Sequence, residues 1–154
     1  MRLTTLAVTG IMLWWGEGAK SHPDKRWKGA RSYPIELTNS NPAIIKLFVD
    51  FLRIELLVPN DMLRIQVQMH EGENQAEVES FWSKITGVSR DNFHQTVIRP
   101  VGKKTSKSKG TCKVRLADKE RYLELESLLW QVLLEIYEDP QAIIQTLPPY
   151  ETVG

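Results

Sequence analysis

The chain has 154 residues, 42% of them hydrophobic, with 20 basic residues, 19 acidic residues and a single cysteine. That size and apolar fraction fit one ordinary globular domain over residues 1–137, followed by a proline-containing tail over 138–154. One cysteine excludes an internal disulfide and a multi-cysteine metal centre, and it fits a reducing cytoplasm.

The formal net charge of +1 conceals a segregation of sign. Residues 20–31 and 99–115 together hold 12 of the 20 basic residues and 1 of the 19 acidic ones. From residue 116 onward the balance reverses to two basic against eight acidic residues. Such a chain should have a positive face and a negative back, and a polyanion is the natural partner of the positive face.

In chain order, Leu3, Leu6, Ala7, Gly10, Ile11, Leu13 and Trp14 recur at helical spacing, and most intervening positions are also apolar or small. A helix over residues 3–15 would be buried nearly all round. Gly10 and Gly16 each cost helix propensity unless they permit close backbone approach, and a C-cap at Gly16 or Gly18 is the plain alternative. Arg2 and the apolar run have the outline of a signal peptide, but Gly16-Glu17-Gly18 stands where a small-residue cleavage site would be. The run is also too short to span a bilayer, so the expectation is a cytoplasmic chain with no membrane contact.

Residues 19–31 read as a basic loop, and Tyr33, Ile35 and Leu37 alternate with Ser32, Glu36 and Thr38 as a half-buried strand. Asn41-Pro42 opens an amphipathic helix through about Leu57. Leu63, Ile65, Val67 and Met69 alternate with Arg64, Gln66, Gln68 and His70, the cleanest period-2 pattern in the chain. A short helix over 74–85 and a strand over 93–99 follow. The tract Pro100–Lys109 reads as a flexible basic hairpin connection to a strand in which Thr111, Lys113 and Arg115 alternate with Cys112, Val114 and Leu116. Cys112 thus reads as a small core residue. Asp118 caps a last helix to about Tyr137, and the segment from Pro140 shows no period. This order implies an α+β domain with helices on one face of an antiparallel sheet.

The two alternating strands turn Arg64, Gln66, Gln68, His70, Thr111, Lys113 and Arg115 toward solvent. Arg and Gln read guanine and adenine edges by paired hydrogen bonds, and a two-stranded ribbon fits the major groove of B-DNA. Lys103, Lys104, Lys107 and Lys109 would contact phosphates. The plain alternative is a solvated strand face on which lysine guards an edge. Glu17 sits where the helix dipole disfavours a carboxylate, so it calls for a cation. Mg²⁺ takes such oxygen ligands, and two copies of the helix could hold it over a phosphodiester.

Leu13-Trp14-Trp15-Gly16-Glu17-Gly18 resembles the end of the LAGLIDADG helix of homing-endonuclease-like proteins, in the bacterial branch that writes it W-G-E-G-x-K. Glu36 to Pro42 with its following helix, His70-Glu71-Gly72, Phe81-Trp82-Ser83-Lys84 and Lys109 to Arg115 resemble later landmarks of that branch, covering about residues 6–130. The motif here has Glu17 where the best-known members have Asp, and Trp15 replaces an earlier acidic letter. The resemblance implies an αββαββα domain whose saddle-shaped sheet sits on double-stranded DNA. It also implies a homodimer paired through Gly10, Leu13, Trp14 and Gly16. Glu17, with Gly16 beside it, would be the metal site, and Lys20 would lie at the scissile phosphate. The basic residues that follow, Lys25, Arg26, Lys28 and Arg31, and Arg99 further on, would join the DNA face. Two activities follow from it: a Mg²⁺-dependent endonuclease, or a regulator that binds DNA on the same scaffold without cutting it. A small RNA-binding or structural domain is the remaining alternative.

Overall fold

The computed structural model describes residues 2–18, 22–23, 26, 29–100 and 109–146. Helix α1 spans Thr5–Glu17 and is opened by Thr4, whose hydroxyl accepts from the Ala7 amide at 3.0 Å. It closes where the Gly18 amide donates to the Trp14 carbonyl. Strands β1 (His22–Pro23) and β2 (Arg31–Ser32) form a small antiparallel ribbon, and β3 follows at Pro34–Asn39. Helix α2 (Pro42–Ile54) starts as expected, with the Asn41 side chain accepting from Ala43 N and proline in the first turn. It stops three residues short of the expected Leu57. There the chain turns through a left-handed φ of 53° at Leu57, and Arg121 holds the turn by donating to the carbonyls of Leu56 and Leu57.

Strand β4 (Arg64–His70), helix α3 (Gln75–Thr86), strand β5 (Val97–Arg99), strand β6 (Thr111–Ala117), helix α4 (Lys119–Ile136) and helix α5 (Pro140–Thr146) complete the order. The four-stranded sheet runs β3-β6-β4-β5. β6 pairs antiparallel with both β3 and β4, but β5 runs parallel to β4. The expected all-antiparallel sheet is therefore mixed. The reason is α3: a helical crossover between β4 and β5 is the connection that lets consecutive strands run in one direction. β5 and β6 are also not a hairpin, since they lie on opposite sides of β4. α5 occupies a stretch that has no period in sequence; Pro140 is buried and the helix rests on α4.

The core is the inner face of the sheet with helices against it. Ile35, Leu37, Ile65, Val67, Met69, Cys112, Val114 and Leu116 are buried from the strands, and Phe48, Phe51, Leu52, Trp82 and Leu125 are buried from the helices. Trp14 of α1 meets Tyr122 of α4 edge to face, 5.6 Å between ring centres, and Tyr122 meets Tyr33 at 5.5 Å. These pairs contribute about 0.5–1.5 kcal/mol each beyond the area they bury. They tie the first helix, the second strand segment and the last long helix together. Ile136 is exposed near the end of α4. Among the described residues no helix is long and apolar enough to cross a membrane.

Gly10 faces α2, where a Cβ would stand 2.0 Å from Cγ of Phe51, a fully buried ring. Gly16 has nothing within 4 Å of its Cβ position. Gly10→Ala should therefore lower stability by about 1–3 kcal/mol through overpacking, outweighing about 1 kcal/mol of gained helix propensity. Gly16→Ala should raise it by up to about 1 kcal/mol; urea denaturation of both variants checks the opposite signs. Burial pushes the Cys112 thiol up to about 12. Only the unfolded chain then forms the thiolate near pH 9, so Cys112 should resist iodoacetamide until urea unfolds the protein. Stability should decline as pH rises from about 8.5 toward 12, a slope that Cys112→Ala makes shallower.

Candidate nucleic-acid interface

Strict alternation along β4 and β6 builds the site, because inner positions are buried and outer positions, the exposed Ala117 apart, are half-buried. Cross-strand register then arranges the outer side chains in rows. Glu36, Arg115 and Arg64 form one row, and Thr38, Lys113 and Gln66 the next. Thr111, Gln68 and Val97 form the third, and His70 lies opposite Arg99. Four basic side chains and one carboxylate therefore share this face.

Local contacts fix several of them. The Lys113 ammonium lies 3.3 Å from Oε1 of Glu36. Arg64 donates through Nη1 to the carbonyls of Asp61 (2.6 Å) and Leu63 (3.0 Å), which folds its side chain along the start of β4. Gln66 donates to the carbonyl of Gln95 at 3.1 Å, and Nδ1 of His70 lies 3.4 Å from the Pro100 carbonyl. Nε of Arg115 is shielded from solvent with no hydrogen-bond partner among the described residues. Arg64, Gln66, His94, Lys113 and Arg115 surround a recess of about 50 Å³ floored by Ile65.

The residues that flank the basic tract after β5 lie beside this face. Its ends, Pro100 and Lys109, both lie at the His70 end of β4, since Arg99 pairs with His70 and Thr111 with Gln68. Lys109 is exposed and its carbonyl accepts from the Trp82 indole at 2.8 Å. Gly110 has a φ of +71°, and a Cβ there would sit 2.1 Å from the Gln68 carbonyl oxygen, so only glycine lets this connection pass so close to β4. Lys103, Lys104 and Lys107, like Lys20, Lys25 and Lys28, lie outside the described residues.

Other expected site residues fall elsewhere. Arg31 is exposed on β2, in the small ribbon apart from the main sheet. Burial raises the carboxyl of Glu126 on α4 above its usual range, and the charge of Arg31 opposes that shift. Arg26 is exposed in the turn between β1 and β2. Gly10 and Trp14, expected at a subunit contact, are buried against Phe51 and Tyr122 of the same chain. Leu13 is half-buried and Gly16 exposed, so these two are what α1 leaves on its outer side.

Glu17 is exposed at the end of α1, and its Oε2 accepts from Nδ2 of Asn39 at 3.2 Å. Asn39 lies opposite Cys112, so the carboxylate sits toward the end of the sheet from which Lys109 and Gly110 enter β6. A carboxylate and the adjoining carbonyl of Gly16 are the hard oxygen donors that Mg²⁺ takes, but one carboxylate is half of such a site. Among the described residues no three His, Cys, Asp or Glu side chains cluster as metal ligands.

Asn39, Glu36 and His94 are the participants that the residue types alone did not select. Glu36 was legible as an outward position of its strand. Asn39 falls in the polar run before the helix that Asn41-Pro42 opens, and His94 gains its place from a parallel bridge between Ile65 and Phe93 that no periodicity announces. Compared with protein-family models, curated proteins and solved structures, the chain matches none.

Proposed function

We propose that the chain binds double-stranded DNA through the outer face of its sheet, as a homodimer on a LAGLIDADG-like scaffold. The observation that supports this reading is the grouping of Arg64, Gln66, Gln68, Lys113, Arg115 and Arg99 on one face of paired strands, with Lys109 at its end. Arginine and glutamine on a ribbon are suited to base edges in the major groove, and exposed Lys109 and Arg99 to the flanking phosphates. Four of the 19 acidic residues, Glu120, Glu124, Glu126 and Glu135, lie on α4.

Metal-dependent phosphodiester hydrolysis is the extension of this reading, with Glu17 from each of two copies contributing one carboxylate. Its support is the placement of Glu17 at the end of the sheet where Gly110 leads into β6, and the open space at Gly16. DNA binding without cleavage is the second reading, favoured by the single carboxylate that each chain brings.

Duplex affinity followed by fluorescence anisotropy should fall linearly with the logarithm of salt, and Arg99→Gln and Lys109→Gln should each lower that slope by about one. Salt-insensitive or absent binding would refute the proposal. If the chain cuts supercoiled DNA with Mg²⁺, Glu17→Gln should abolish the cutting; cutting that persists unchanged removes Glu17 from it, and duplex binding without any cutting selects the second reading. Gly16→Leu should shift sedimentation toward the monomer, and an unaltered profile contradicts pairing through α1.

A further inference from the structure

We propose that the recess between Arg64, Lys113 and Arg115 is a binding site for a single phosphate-type oxyanion. The inference shares a sheet face with the DNA reading and rests on it only for the macromolecular source of that phosphate. Arg64 and Arg115 are direct cross-strand partners, and like charges placed opposite one another destabilise a strand pair. The carboxylate that could relieve them, Glu36 on the far side of Arg115, lies 3.3 Å from the Lys113 ammonium. Three cations therefore meet around one acid.

The second observation concerns Arg115. Its Nε is shielded from water and has no partner among the described residues. An unsatisfied charged donor costs about 1–3 kcal/mol or more, a penalty that an acceptor relieves once a small shift of the Arg115 side chain brings the two together. Arg64 is already held by the carbonyls of Asp61 and Leu63, and Gln66 by that of Gln95, so the walls are fixed before any ligand enters.

Size and chemistry narrow the ligand. The recess holds about 50 Å³, and a water needs about 10–15 Å³ of such space. That is room for the few oxygens of a tetrahedral anion and too little for a base or sugar. The groups around it are chiefly donors: two guanidinium forks, an ammonium and the imidazole of His94. Guanidinium forks match the paired oxygens of phosphate.

The test titrates the full chain with inorganic phosphate at constant ionic strength, reading the arginine Nε–Hε resonances by NMR, with chloride and acetate as comparisons. A saturable shift of Arg115 Nε–Hε with phosphate alone is expected, and Arg64→Gln should weaken it about tenfold or more. Arg115→Gln, followed through Arg64, should do the same. A shift that chloride or acetate reproduces, or that never saturates, overturns the proposal. The two sources separate in a salt titration of duplex binding: a slope lowered by about one in Arg115→Gln assigns a backbone phosphate, whereas a slope unchanged in Arg115→Gln, in a protein whose unsubstituted chain binds inorganic phosphate, assigns free phosphate. Duplex binding without any phosphate response defeats this proposal and leaves the DNA reading standing. A phosphate response in a chain that binds no duplex does the reverse.

Discussion

The two-faced pleat of β4 and β6 is the constraint on which everything else depends. Because successive side chains point to opposite sides of a strand, burying Ile65, Val67, Met69, Cys112, Val114 and Leu116 obliges Arg64, Gln66, Gln68, His70, Thr111, Lys113 and Arg115 to share the other side. A slip of one residue in register would drive the arginines into the helices and the valines into solvent. The positive face is thus a consequence of the hydrophobic core, and its charge is held in place by the burial beneath it.

The first helix shows the same coupling between packing and exposure. Its sequence is apolar on nearly every side, and the structure divides those sides between distinct tasks. Ala7, Gly10, Ile11 and Trp14 are spent on the chain's own core, with Gly10 admitting the ring of Phe51. Met12 and Trp15 line a groove with Val132, Leu133 and Ile136 of α4 and with Pro140 and Ile143 beyond it. Only Leu13 and Gly16 remain of the residues that the resemblance would place between two copies. Glu17 is carried at the end of this well-anchored rod, so its position is set by Trp14 and Gly18, whose surroundings include the Glu36 carbonyl.

Most of the elements were legible in the sequence, for identifiable reasons. β4, β6 and α2 combine clear periods with strong boundary residues, and Asn41, Asn74 and Asp118 cap their helices through side-chain acceptors. What escaped was set by tertiary pairing. β5 holds only Val97, Ile98 and Arg99, too few residues for a period to declare its direction, and its parallel course depends on how α3 returns to the sheet. The short α5 forms where Pro140 finds cover against α4. In the site, residue type pointed to the arginines and glutamines but could not reveal that Arg31 turns toward Glu126, or that His94 comes level with Lys113.

The sheet order carries an implication for synthesis. β6 is the last strand to leave the ribosome, yet it is the interior strand that joins β3 to β4. Until residues 111–117 emerge, β3 has no strand beside it in the main sheet, and the apolar sides of Ile35, Leu37, Ile65 and Val67 cannot be enclosed together. Closure between positions as distant as Glu36 and Arg115 is entropically slow. The nascent chain must therefore remain soluble through a long unfinished interval, and a stop anywhere before β6 yields an adhesive fragment in place of a smaller folded protein.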